Sequence, residues 1–147
     1  MTTWIVLLAC SPAPTATPVL YDLEPTGTST TCTSAHPTPS LASVDVRFSP
    51  TLVDIGLPIR ERCPLDGDRF ECEPLVGEQS VDYGDFGMDA LVAVNFGASG
   101  KVLEPDAFEL VLSTSVSCVG EDCGAITGSA PEFCETAWSY LARPRWP

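Results

Sequence analysis

The cysteine content of this 147-residue chain constrains its fold more than any other feature. The chain contains seven cysteines, namely Cys10, Cys32, Cys63, Cys72, Cys118, Cys123 and Cys134. So high a content in a short chain is typical of exported proteins, whose disulfides form in an oxidising compartment. Each disulfide would contribute roughly 2–4 kcal/mol to stability, mostly by restricting the unfolded chain.

The first cysteine follows a short apolar run and ends the tetrapeptide Leu7-Leu8-Ala9-Cys10. This tetrapeptide resembles the lipobox of bacterial lipoproteins, in which a small residue precedes an obligatory cysteine. The resemblance is confined to the first ten residues. It implies that residues 1–9 are a signal segment that is removed, and that Cys10 becomes the lipidated first residue of the mature protein.

The signal segment departs from the usual pattern in two ways. It carries no Lys or Arg, and its apolar run is shorter than the usual roughly 7–15 residues, as expected if translation starts upstream of Met1. The alternative is an ordinary free or buried Cys10. With lipidation, the protein belongs to the bacterial cell envelope and is attached to a membrane through its lipid.

Removing Cys10 for lipidation leaves six cysteines, enough for three disulfides that can be paired in fifteen ways. The sequence cannot choose among these ways. We favour two local pairs and one long-range pair: Cys63–Cys72, Cys118–Cys123 and Cys32–Cys134. A structural zinc site is the alternative, but it usually requires close pairs of ligands. Only the pair at 118 and 123 is close, and the single histidine, His36, lies in a Pro/Thr-rich segment.

Composition divides the chain into four parts. Residues 1–9 are the signal segment, and residues 10–40 are the lipidated cysteine with a spacer rich in Pro, Thr, Ser and Ala. Such a spacer has too few large apolar residues to offset the entropy cost of ordering it. Residues 41–142 form one domain of ordinary size, and residues 143–147 form a loose tail.

The domain is predicted to be mainly β. Apolar and polar residues alternate from Val44 to Phe48, from Val53 to Ile59 and from Phe108 to Cys118, which is the period of half-buried strands. A nearly continuous apolar run, 91–96, predicts a central strand that ends in a turn at 97–100. Turn signals at intervals of about ten residues favour a small β-sandwich, with an immunoglobulin-like topology as the expected form.

One short helix is predicted near the C-terminus. Ser129 and Glu132 fit a capping box, and Pro131 suits the first turn of a helix. Helical spacing then places four residues on one apolar face, namely Phe133, Ala137, Tyr140 and Leu141. Pro144 would end the helix.

The acidic region from Asp66 to Asp89 offers the best candidates for a ligand site. Its aspartates lie beside glycines and comprise Asp66, Asp68, Asp82, Asp85 and Asp89. Calcium takes six to eight oxygen ligands from carboxylates and carbonyls, so these residues are candidate calcium ligands. The twelve-residue EF-hand pattern is not met, and the alternative is a solvated acidic loop that maintains solubility.

The remaining features argue against other functions. A net charge of −13 opposes binding to nucleic acid and direct adsorption to anionic lipid headgroups. No glycine-rich phosphate loop occurs, and serine hydrolysis would lack a histidine outside the spacer. We therefore expect no enzyme and no required cofactor, but a lipid-anchored structural or interaction module of the envelope with a possible protein partner. The alternative is an envelope protein that binds a ligand or calcium through residues 66–89.

Overall fold

The computed structural model describes residues 17–33, 39, 41–57, 60–72, 79–104, 106–127 and 133–145. The strands are β1 (Val19–Thr30), β2 (Ser43–Ser49), β3 (Leu52–Gly56), β4 (Arg60–Asp66), β5 (Arg69–Cys72), β6 (Gln79–Asp82), β7 (Leu91–Glu104), β8 (Ala107–Val119) and β9 (Phe133–Pro144). A 3-10 turn spans Tyr83–Phe86, and the helix α1 spans Cys123–Thr127.

The strands form a closed antiparallel barrel. Neighbours along the chain pair in order, and β1 pairs with β9 to close the ring. Short β5 and β6 both pair with the same edge of the long strand β7, so that together they occupy one of eight positions around the barrel. The prediction of a mainly β domain is confirmed, but the strands form this barrel and not the expected sandwich of two sheets with immunoglobulin-like topology.

The predicted C-terminal helix is wrong, because residues 133–144 form β9. The side chains at 134, 136, 138, 140 and 142 are buried, whereas Phe133 is 56% exposed. This period of two is the period of a strand. Pairing with β1 on one side and β8 on the other holds the segment extended. The proposed capping box at 129–132 lies outside the described residues.

Two boundaries of the predicted domain also need correction. Residues 19–30, assigned to the spacer, form β1, and Tyr21 and Leu23 enter the core. At the other end, the predicted loose tail contributes residues 143 and 144 to β9, and Arg145 forms an ion pair with Asp22. The folded unit therefore includes residues 19–30 and residues 143–145.

The predicted turn at 97–100 is wrong as well, since β7 continues through it. Small residues are needed here because the barrel interior is crowded. A Cβ atom on Gly100 would overlap the ring of Phe70 and the carbonyl oxygen of Glu109. The glycine that resembled a turn signal therefore serves close packing within a strand.

The barrel interior is filled by apolar side chains. The predicted inward face of β8 is confirmed, with Phe108 and Leu110 fully buried. The ring of Phe108 packs edge-on against Tyr21, with ring centroids 5.0 Å apart, and Phe48 and Phe70 also contact it edge-on. An eight-stranded barrel is just wide enough for its interior to be filled in this way.

All three favoured disulfides are present. The Cα atoms are 4.9 Å apart in Cys32–Cys134, 4.3 Å apart in Cys63–Cys72 and 5.8 Å apart in Cys118–Cys123. The first bridge connects the end of β1 to the start of β9, and the second connects β4 to β5. Strand pairing places the partners of both bridges opposite each other.

The barrel has two different ends. The proximal end carries the first residues of β1, the last residues of β9 and three turns, which connect β2 to β3, β4 to β5 and β7 to β8. We call residues 79–97, 113–127 and 133–137 the distal lobe. This lobe has its own small core, in which Ala90, Cys118 and Cys123 pack with Tyr83 and Ile126.

Candidate interaction surface

The predicted acidic site residues fall into two separate groups. Asp66 and Asp68 lie at the β4–β5 turn at the proximal end, where the backbone of Asp68 accepts a hydrogen bond from Val102. Asp82, Asp85 and Asp89 lie in the distal lobe, where Asp82 pairs with Leu91. Residues 91 and 102 of β7 are separated by about 36 Å at roughly 3.3 Å per residue. The two groups cannot bind one ion together.

The distal aspartates stabilise their own loops. Asp82 accepts a hydrogen bond from the backbone N–H of Gly84 at 2.8 Å and caps the 3-10 turn. The carboxylate of Asp89 accepts from the N–H of Glu121 at 3.2 Å, and its own N–H donates to Asp122 at 2.7 Å. These contacts connect the β6–β7 and β8–α1 loops.

No group of three or more His, Cys, Asp or Glu side chains among the described residues is placed to hold a metal ion. At the proximal end, Asp68 lies 3.6 Å from the ammonium group of Lys101. Calcium binding by these aspartates stays a prediction that the described geometry does not support. His36 and the lipidation candidate Cys10 lie outside the described residues. None of the helices in the described ranges has the length and apolarity to cross a membrane.

Two depressions lie near the proximal end. One has a volume of about 290 Å³ at the barrel mouth and is lined by Tyr21, Phe48, Leu65, Gly67, Asp68, Val102 and Ala107. Burial, and secondarily the charge of Asp106, raises the pKa of the Tyr21 phenol. The other, of about 980 Å³, crosses β5, β7 and β8 on the outer surface, where Arg69 and Lys101 alternate with Glu71 and Glu109. Mixed charges on an open surface select no particular ligand.

Exposed apolar side chains meet on the outer face of the distal lobe. Leu91 on β7 pairs with Val119 on β8, and their exposed fractions are 44% and 71%. Phe133 on β9 pairs with Ser117, two residues before Val119, so it is a diagonal neighbour on the same face. We call Leu91, Val119 and Phe133 the apolar triplet. Phe86, in the nearby 3-10 turn, is 75% exposed.

The apolar triplet lies within an acidic surface. The distal lobe contains six carboxylates and, among its described residues, no Lys or Arg, the acids being Asp82, Asp85, Asp89, Glu121, Asp122 and Glu135. The ion pairs found in the described part of the chain involve Asp22, Asp45, Asp54 and Asp68, all outside the lobe. The triplet is therefore surrounded by uncompensated negative charge.

The loop beside the triplet is held rigidly. The Cys118–Cys123 disulfide closes it, and the backbone N–H of Asp122 donates to the carbonyl of Asp89 at 3.0 Å. Gly120 has a φ angle of 133°, a conformation that other residues rarely adopt. Its Cα lies against the Asp89 backbone with no room for a side chain. Val119 is thus presented on a fixed backbone.

No protein-family model, curated protein or solved structure matches this chain. The sequence did not predict the apolar triplet, because its pattern favours a different environment for two of the three residues. The sequence pattern predicts Leu91 in a buried central strand and Phe133 on the apolar face of a helix. The exposure of Val119 could have been predicted from the sequence. The residue directly follows Cys118, which the strand pattern places on the inward face, so Val119 must point outward.

Proposed function

We propose that this protein is a lipid-anchored component of the bacterial cell envelope that binds another envelope protein through its distal lobe. The apolar triplet at the end of the barrel opposite the first residues of β1 carries the proposal. Exposed apolar residues in a contiguous group are a common mark of protein interaction sites. The role is binding and not catalysis.

The position of β1 supports a short tether. Only residues 11–18 separate Cys10 from the first residue of β1. At roughly 3.3–3.6 Å per residue, this segment can hold the barrel at most about 30 Å from the lipid. Because the tether joins the proximal end of the barrel, it leaves the distal lobe accessible to a partner.

The disulfides support an exported protein. Three bridges within one small domain are typical of oxidising compartments such as the bacterial periplasm. All six cysteines other than Cys10 are engaged in these bridges, so Cys10 alone is left for another modification.

Intact-mass analysis of the protein from its native membrane tests the anchor. We expect a mass that lacks residues 1–9 and includes acyl chains, and we expect this form to be absent in Cys10→Ala. An unprocessed form that retains Met1 would contradict the anchor.

Photo-crosslinking in living cells tests the interaction role. A photoreactive amino acid replaces Val119 in one strain and Leu103, an exposed residue at the proximal end, in a matched control. We expect a discrete crosslinked protein from position 119 that is absent from position 103. Equal crosslinking patterns at the two positions would contradict a binding role for the distal lobe.

A further inference from the structure

We infer that the segment docking on the distal lobe is a basic, amphipathic stretch of polypeptide, with Lys or Arg flanking apolar side chains. This inference rests on the proposed function, because it specifies the partner of the same surface. The main support for the inference is the position of the apolar triplet in a lobe whose charged residues are all acidic.

The apolar part of the partner follows from the geometry of the triplet. Leu91 and Val119 are directly opposite on adjacent strands, and Phe133 on the third strand is a diagonal neighbour of Val119. Three strands thus present apolar side chains on one face. Removing such surface from water is favourable by roughly 25 cal/mol per Å², so a partner gains most by placing its own apolar side chains there.

The basic part follows from charge complementarity. The carboxylates of the distal lobe have no cationic partner among the described residues. Two of them, Glu121 and Glu135, lie two residues beyond Val119 and Phe133, and Asp85 lies in the 3-10 turn of the same lobe. Lys or Arg at the edge of the contact would neutralise these charges and accelerate association. An acidic or phosphorylated partner would be repelled.

The same charge disfavours the other possible occupants. A second copy of this chain docked lobe to lobe would place six carboxylates against six, with no Lys or Arg from the described residues of either lobe. An anionic membrane surface would be repelled in the same way. A basic polypeptide is the occupant that satisfies both the apolar and the charged parts of the surface.

Three synthetic peptides of equal length test the inference. One alternates Leu with Lys, the second replaces Leu by Ser, and the third replaces Lys by Glu. The full chain carrying Cys10→Ser is used, so that no detergent covers the triplet. We expect the Leu/Lys peptide to bind about tenfold more tightly than either of the others in fluorescence anisotropy.

Variants of the protein locate the contact. Val119→Ser should weaken binding of the Leu/Lys peptide about fivefold or more. The combination of Asp85→Asn, Glu121→Gln and Glu135→Gln should reduce the dependence of binding on salt concentration. None of these three side chains stabilises a loop in the structure, and Leu103→Ser at the proximal end is the matched control. Thermal unfolding confirms that each variant is folded.

The outcomes separate this inference from the proposed function. If the Ser/Lys or the Leu/Glu peptide binds as tightly as the Leu/Lys peptide, or if Val119→Ser has no effect, the basic amphipathic partner is overturned. A crosslink from position 119 in cells would still support an interaction module in that case. If the Leu/Lys peptide binds tightly but no crosslink forms from position 119 in cells, the binding of an envelope protein by the distal lobe would be contradicted instead.

Discussion

The Cys32–Cys134 disulfide joins the end of β1 to the start of β9. The pairing of these two strands closes the barrel. The two cysteines are 102 residues apart in the sequence. This bridge therefore fixes the two strands whose pairing no local interaction could bring about.

The long bridge should contribute most to stability. In the chain-entropy model, a closed loop of this size contributes about 4.7 kcal/mol, whereas the five-residue separation of Cys118–Cys123 contributes about 2 kcal/mol. Cys32→Ser/Cys134→Ser should therefore lower the free energy of unfolding by more than Cys118→Ser/Cys123→Ser does. Denaturant titration of the two double variants measures this difference. Equal losses would contradict the larger contribution expected of the long bridge.

Two buried phenols should make the barrel sensitive to alkali. Burial raises the pKa of Tyr21 and of Tyr140, with Asp106 adding to the rise at Tyr21. In the unfolded chain these groups ionise near their ordinary value of about 10. The folded state retains protons that the unfolded state has lost, so stability should decrease as the pH rises above about 10.

Absorbance of tyrosinate, followed together with circular dichroism, checks the alkaline transition. We expect the ionisation of Tyr21 and Tyr140 to coincide with unfolding, and Tyr140→Phe to remove one phenol from that coupled step. Complete ionisation of both residues in a folded protein would refute the prediction.

Gly120→Ala should destabilise the distal lobe. The alanine would have to adopt a φ angle near 133° and would overlap the backbone of Asp89. Strain of this kind costs roughly 1–3 kcal/mol. Hydrogen exchange should show faster exchange in the β6–β7 and β8–α1 loops. Gly27→Ala is the matched control, because a Cβ at residue 27 would have no atom within 4 Å. Similar losses in both variants would argue against the special role of Gly120.

Val119→Ser should leave the fold intact and reduce surface hydrophobicity. Val119 is 71% exposed, and exposed substitutions usually change stability by less than about 0.5 kcal/mol. Binding of a hydrophobic dye to the native protein should decrease. By contrast, Val46→Ser, at a side chain with 1% exposure, should destabilise the barrel severely. Unchanged dye binding in Val119→Ser would show that the apolar triplet is not the exposed apolar surface.

Some strands were predictable because their pattern has one interpretation. The alternation around Val44, Val53 and Phe108 fits a strand and no other regular structure, and β2, β3 and β8 form there. The same argument fails for β9, since Phe133, Ala137 and Tyr140 also satisfy a helical spacing. Its pairing with β1 and β8 overrode the helical spacing that the sequence favoured.

The candidate site was less predictable than the fold. Residue type and proximity in the sequence group the aspartates together, but β7 separates Asp66 and Asp68 from the distal group by most of its length. The apolar triplet combines residues from three strands, so no sequence window contains it. Only the strand register shows that Leu91, Val119 and Phe133 share a face.

By itself the sequence determined that the chain is mainly β, that it is strongly acidic and that its cysteines suit three disulfides. These properties depend on composition and on residues near one another in the chain. The tertiary structure decided the closure into a barrel, the use of residues 19–30 as a strand and the contiguity of the apolar triplet. Each of these depends on pairing between residues far apart in sequence, for which local propensity carries no information.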